Sequence, residues 1–310
     1  MLDKTLKLTH SDGSFSYLDE FRLHNEGLNY FKGWDCAIKS NNYHLGFRNL
    51  STGFCKQKIR LGDILEDVHS IDFTNQTIVC KQDRCFCYAD FHTIKINPNK
   101  EPFTKLEPTS NELFFSWSPF FKCNFSCDYC SPSSHNGDMP DKELLEKIFD
   151  KLCLLIGKRK ITFTFIGGEA TLSRSLIEWV KRLKQMNSDN NVIVLTNGSR
   201  SLSYLSKLAE HAQLDFSVHL HQEKLLHLAA KINKLSKLPG IVPPKVQILF
   251  PATETKNLKL FISNLTNINY HTRVTLLKIH RPDFRPEQYD YTDYHHSLVD
   301  KLNSYFATIK

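Results

Sequence analysis

The chain has 310 residues, 41% of them hydrophobic, with 40 basic and 33 acidic side chains for a formal charge of +7. That length holds one large domain, or one medium domain with a small module, and the apolar content excludes disorder through the bulk of the chain. The mild positive excess permits an acidic partner such as nucleic acid or a phosphorylated substrate but does not require one, because Lys is scattered as on an ordinary solvated surface.

The opening "MLDKTLKLTH" has no long apolar run, and no stretch approaches the roughly 18 apolar residues of a membrane span. The expectation is a soluble, cytoplasmic protein with no membrane partner. Nine cysteines in a reducing compartment then read as metal ligands or core thiols rather than disulfides. In the first ninety residues, Cys36 and Cys55 flank "YHLGFRNLSTG", whose Gly-containing centre predicts a β-hairpin that brings the two thiols together. Cys80, Cys85 and Cys87 follow as C-x4-C-x-C. Four ligands complete an iron–sulfur cluster and five are available here; a zinc-ribbon-like fold would use the same residues. Residues 96–112, with three prolines and little apolar content, read as a linker.

From residue 113 the pattern becomes regular. "LFFSWS" (113–118) is a strand that leads into "CNFSCDYC", where Cys123, Cys127 and Cys130 are spaced C-x3-C-x2-C. Asp141 can cap the next helix, in which Leu144, Leu145, Ile148, Phe149, Leu152 and Leu155 repeat at helical spacing; Cys153 on that helix reads as a core thiol. "ITFTFIGG" is a second strand ending in glycines, and Ser173 opens a second helix with Ile177, Val180 and Leu183 inward. "NVIVLTNG" is a third strand, with a helix over 202–212. "LDFSVHL" is a fourth, with a helix over about 222–238. "KVQILF" is a fifth, with a helix over 255–268, and "RVTLLKI" is a sixth. Six alternations over 113–280 predict βαβ units on a parallel sheet, in an α/β fold. Six units are too few for a closed eight-stranded barrel, so an open, partial (β/α)6 barrel is expected, with residues 281–310 as a helical tail. Residues 1–95 would form a small N-terminal β-hairpin and cysteine-rich module.

The active site of such a fold lies on the loops after the strands. The cysteine loop, "GGEA" (Gly167–Ala170), "TNG" (Thr196–Gly198) and the pair His219 and His221 all fall there. Alternation along a strand would turn the two histidines to opposite faces. The three thiols with His135 could close a structural zinc site. Alternatively, three thiolates could hold three irons of a [4Fe–4S] cluster and leave the fourth iron open to a small molecule.

These residues together resemble the radical S-adenosylmethionine (SAM) enzymes: C-x3-C-x2-C after the first strand, the aromatic Tyr129 before the last cysteine, and a Gly-Gly-acid turn after the second strand. The resemblance spans residues 113–280. It implies that Cys123, Cys127 and Cys130 ligate the catalytic [4Fe–4S] cluster, and that SAM chelates the open iron. Reductive cleavage of SAM would then release a 5′-deoxyadenosyl radical that abstracts a substrate hydrogen. It further implies that Gly167, Gly168 and Glu169 meet the methionyl amino group, that Thr196, Asn197 and Ser217 touch ribose or carboxylate, and that Tyr129 borders the cofactor. The family often has proline where this chain has Ala170. The N-terminal block resembles the SPASM or twitch auxiliary-cluster module, although that module normally follows the barrel. That likeness implies one auxiliary [4Fe–4S] cluster on four of Cys36, Cys55, Cys80, Cys85 and Cys87. An external flavodoxin- or ferredoxin-like electron donor is implied as well. Family members of this kind modify peptides or proteins, and others act on nucleosides or sugars. From a different class, the chain could be a non-catalytic zinc or iron–sulfur protein such as a basic nucleic-acid adaptor.

Overall fold

A computed structural model describes the chain except residues 1–5, 19–21, 24–25, 54, 56, 58, 67–70, 72–76, 86–90, 110–112, 128, 131–136, 223, 267–271, 277–290 and 309–310. Its contacts divide it into two compact units. Unit 1 is Met1–Pro119, Asp141–Phe163 and Met186–Asn190, and unit 2 is Phe120–Pro140, Thr164–Gln185 and Asn191–Lys310.

Unit 1 contains strands β1 (Leu6–His10), β2 (Phe15–Leu18), β3 (Asp35–Cys36), β4 (Asn42–Gly46), β5 (Asn49–Thr52), β6 (Arg60–Asp63), β7 (Ile78–Val79), β8 (Lys95–Ile96), β9 (Phe103–Pro108) and β10 (Leu113–Ser118). Six of them form an antiparallel sheet in the order β2-β1-β9-β8-β3-β7. Alternation in β1 sends Leu6 and Leu8 to one face, where they pack with Leu18, Leu23, Phe31, Phe91 and Leu106. Burying each such side chain contributes about 1.5–3 kcal/mol.

The segment read as a linker is different in the structure. β9 occupies its middle and pairs with both β1 and β8. The prolines at 98, 102 and 108 suggested a loop, but only Pro108 falls within the strand, and "FTKLE" supplies the ladder.

The expected hairpin forms: β4 and β5 are antiparallel, joined at Phe47 and Arg48. It does not stand in a separate module, because β4 also pairs in parallel with β10 from Phe114↔Asn42 to Ser118↔Gly46. Phe47 sits at φ +53, a conformation that L residues rarely adopt. Two bonds to the end of β10 hold it there: Phe47 N–H donates to Ser118 O (2.8 Å), and Trp117 Nε1 donates to Phe47 O (3.0 Å). β10 is buried along its whole length, as expected of a strand covered on both faces.

Helix α1 (Lys142–Ile156) buries Leu145, Ile148, Phe149, Leu152 and Ile156, and Phe149 stacks on Trp117 at 5.8 Å. Asp141 occupies the cap position, but its side chain makes no capping bond; its carbonyl instead accepts from Leu145 N. Strand β11 (Ile161–Phe165) begins in unit 1 and ends in unit 2.

Unit 2 continues with α2 (Leu176–Met186), β12 (Asn191–Thr196), α3 (Leu202–Ala209), β13 (Gln213–His219), α4 (Leu225–Leu235), β14 (Lys245–Phe250), α5 (Thr255–Ser263), β15 (Thr272–Leu276) and α6 (Asp293–Thr308). β12 to β15 are neighbours in sequence order, and β12–β13, β13–β14 and β14–β15 all pair in parallel. The α/β reading therefore stands. Helix α2 starts three residues later than expected: Ser173 ends a short 3-10 turn over Ala170–Leu172, and its hydroxyl accepts from Ser175 N. Trp179 on α2 is fully buried and stacks on Phe165. Part of the helical tail, 281–290, lies outside the described residues; α6 covers most of the rest. Among the described residues no helix is long and apolar enough to cross a membrane.

Candidate functional site

The site is built in unit 2, from the loop that leaves β10 and from the turns after β11, β12 and β13. The first two elements are tied backbone to backbone. Gly168 N–H donates to Phe120 O (3.2 Å), and Glu169 N–H donates to Lys122 O (2.9 Å). The approach is so close that a Cβ on residue 168 would lie 2.1 Å from Lys122 O. Gly167 sits at φ +116, where only glycine is at ease. The two glycines thus hold the base of the cysteine loop against the end of β11.

The three loop thiols gather at this base. Cys127 is buried, Cys123 and Cys130 are half-buried, and Cys130 N–H donates to Cys127 O (3.0 Å). The Cys127 thiol is pushed up first by its hydrogen bond with Cys130, then by burial and the Cys130 charge. Cys123 is pushed up chiefly by burial, with Glu169 and Cys130 adding to it. Two donors face the Cys123 sulfur, Phe125 N at 3.4 Å and Asn197 Nδ2 at 3.7 Å.

Glu169 is 1% exposed and bound on both oxygens. Oε1 accepts from Thr171 N (3.2 Å), from the Thr171 hydroxyl and from Thr196 Oγ1 (2.7 Å), and Oε2 accepts from Asn197 N (2.7 Å). Burial pushes its carboxyl above the usual range, and these donors oppose the shift. Asn197 Nδ2 also reaches Asn124 Oδ1 in the cysteine loop (3.0 Å). The "TNG" turn therefore braces both the carboxylate and the loop.

Tyr129 and the two histidines meet. Tyr129 Oη lies 2.6 Å from His219 Nδ1 and the two rings stack, while His221 meets Tyr129 edge-on at 5.5 Å. The same His219 Nδ1 lies 3.4 Å from Cys127 Sγ. Burial, with help from His221, keeps His219 neutral down to about 4. This corrects the expectation that the histidines face apart. Alternation applies inside a strand, and β13 ends at His219, so Leu220 and His221 already turn. Ser217 lies two residues before His219, in register with Gln247 of β14.

The N-terminal cysteines lie in unit 1. Cys36 on β3 pairs with Ile78 of β7, and Cys80 follows that strand, buried in the apolar core with Cys85 packed against it. Cys55 follows β5, in the other sheet. Cys87 and His135 lie outside the described residues. Among the described residues, no three His, Cys, Asp or Glu side chains form a set able to hold a single metal ion.

Several residues escaped the sequence reading. Thr171 and Asn124 had a faint signal, being neighbours of Glu169 and Cys123. Lys231 had none: it sits on the buried side of α4, and its ammonium donates to Gly198 O (2.6 Å) and Arg200 O (2.8 Å), closing the turn after β12. Tyr204 Oη is buried with no hydrogen-bond partner among the described residues.

Residues 117–235, which carry all of these turns, match the Radical SAM superfamily. It is this segment, rather than the whole chain, that is similar to the radical SAM superfamily. A probable GTP 3′,8-cyclase of Saccharolobus islandicus is 25% identical over 172 residues, 51% of this chain and 54% of that protein. The GTP 3′,8-cyclase of Helicobacter pylori is 30% identical over 127 residues, 39% of each chain. That of Staphylococcus epidermidis is 36% identical over 85 residues, 25% of this chain and 24% of its own. The chain thus spans about half or less of the curated relatives it matches. Radical SAM proteins are iron–sulfur enzymes that take a [4Fe–4S] cluster and SAM. The donor set fits that group: three soft thiols on one short loop, with N–H groups aimed at a sulfur.

Proposed function

We propose that the chain is an enzyme that reductively cleaves SAM at a [4Fe–4S] cluster held by Cys123, Cys127 and Cys130, within a partial (β/α)6 barrel built on β10 to β15. A reduced cluster bound there would supply the single electron that reductive cleavage of SAM to methionine and a 5′-deoxyadenosyl radical requires. The chain's own residues bind and orient. Cys123, Cys127 and Cys130 would hold the cluster through their thiolates. Glu169 Oε2, with one donor where Oε1 has three, offers acceptor capacity to the methionyl ammonium. Gly167 and Gly168 let that turn lie flat against the loop. Thr196, Asn197 and Ser217 at the ends of β12 and β13 are the candidates for ribose and carboxylate, and Tyr129 borders the cofactor.

The observation that carries this reading is the meeting of the cysteine loop, the Gly-Gly-Glu turn and the Asn197 turn within a matched radical SAM segment. The similarity to GTP 3′,8-cyclases favours a nucleotide substrate over a peptide. An auxiliary cluster on cysteines of unit 1, a flavodoxin- or ferredoxin-like donor and a cytoplasmic setting belong to the same reading.

The test is chromatography of anaerobic, dithionite-reduced reactions. Wild type should form 5′-deoxyadenosine and methionine, and Cys127→Ala none. Nucleoside triphosphates should raise the yield, whereas peptides should not. A fully loaded, reduced wild type that forms no 5′-deoxyadenosine overturns the enzymatic reading.

A further inference from the structure

His219 Nδ1 faces two groups at once, the Cys127 sulfur at 3.4 Å and the Tyr129 hydroxyl at 2.6 Å. One ring nitrogen carries either a hydrogen or a lone pair, so its role toward each group is set by what that group can offer. A thiol and a phenol can both donate. A thiolate cannot; it only accepts. The imidazole is fixed in place by stacking on Tyr129, by an edge contact from Phe125 at 5.8 Å and by its seat at the end of β13.

We propose that His219 is a positioning residue that donates Nδ1–H to the Cys127 thiolate and thereby sets the reduction potential of the cluster, with the Tyr129 hydroxyl competing for the same hydrogen. The inference rests on the reading of Cys127 as a cluster ligand. It holds whether His219 is neutral or charged, since a thiolate at that distance is met favourably only by N–H. A hydrogen bond to a ligating sulfur stabilises the more electron-rich, reduced cluster and raises its potential. Removing the donor lowers the potential. Removing the competitor gives the sulfur the whole hydrogen and raises it. Tyr129 and His219 therefore act in opposite directions on one quantity, which a merely structural role for either would not produce.

The experiment is a redox titration of reconstituted protein followed by the electron paramagnetic resonance of the reduced cluster. In His219→Leu the reduced-to-oxidised ratio at fixed poise should fall about tenfold, which for a one-electron couple is a shift of about 59 mV to lower potential. His219→Asn, whose amide N–H can stand near the place of Nδ1, should recover much of it. Tyr129→Phe should move the potential upward. If His219→Leu fails to take up a cluster, the sign of the Tyr129→Phe shift decides. Loaded His219→Leu with an unchanged potential, or Tyr129→Phe with a lowered one, overturns the inference and leaves the cluster assignment intact. A wild type that takes up no iron on the three loop cysteines overturns that assignment itself.

Discussion

Glu169 is a buried carboxylate that does two jobs at the scale of a single residue. Its Oε1 gathers Thr171 and Thr196, and its Oε2 takes the N–H of Asn197. In Glu169→Gln an amide NH2 replaces one of these oxygens and points a donor at a donor. Loss of a charge-assisted hydrogen bond in a buried site costs about 1.5–3 kcal/mol, so thermal stability should drop measurably. If the carboxylate also receives the SAM ammonium, SAM affinity should fall about ten- to a hundredfold by equilibrium dialysis, with iron content unchanged. A lower melting temperature with unaltered SAM affinity would show Glu169 to be a brace alone. The sequence singled out this residue through its motif, but not its partners. Thr171 and Thr196 are common residue types, and only the fold brings 196 beside 169.

At the scale of elements, the cysteine loop is placed by its contact with the end of β11. Gly168 is the tightest point of that contact. Its φ lies outside the left-handed region, so the constraint there is space alone. Gly168→Ala must displace either Lys122 O or the turn itself, at about 1–3 kcal/mol for overpacking. The expected result is a folded protein by circular dichroism that loads markedly less iron onto Cys123, Cys127 and Cys130. Gly157→Ala is the control. It lies at φ +60 after α1 with nothing within 4 Å of a Cβ, so it carries backbone strain without a clash and should load iron normally. The strand-to-helix alternation from residue 113 was legible because each element carries its own period. The ends were less so. Ser173 looked like a helix start, but the 3-10 turn held by Glu169 and Thr171 comes first.

At the scale of the molecule, the cysteines fall into both units: Cys123, Cys127 and Cys130 in unit 2, and Cys36, Cys55, Cys80 and Cys85 in unit 1. With a catalytic and an auxiliary cluster, anaerobic reconstitution should give about eight irons per chain, four for each [4Fe–4S] centre. The combined Cys123→Ala, Cys127→Ala and Cys130→Ala variant should keep about half of that. A wild-type content near four would assign Cys80 and Cys85 to the apolar core of unit 1 as packing thiols, where both already sit against Leu and Phe side chains.

What the sequence by itself determined was local: the three thiols on one loop, the Gly-Gly-Glu turn, and the alternation that makes the chain α/β. Spacing and period are properties of neighbouring residues, and they survive without knowledge of the rest of the chain. The tertiary structure decided what joins distant residues. It placed β9 inside the stretch that proline content marked as a linker, because a sheet edge at β1 was there to pair with it. It set the β4 hairpin beside β10 instead of in a module of its own. It also brought His219 onto both Tyr129 and Cys127, across some ninety residues of chain, because parallel strands deliver their ends to the same edge whatever their separation in sequence.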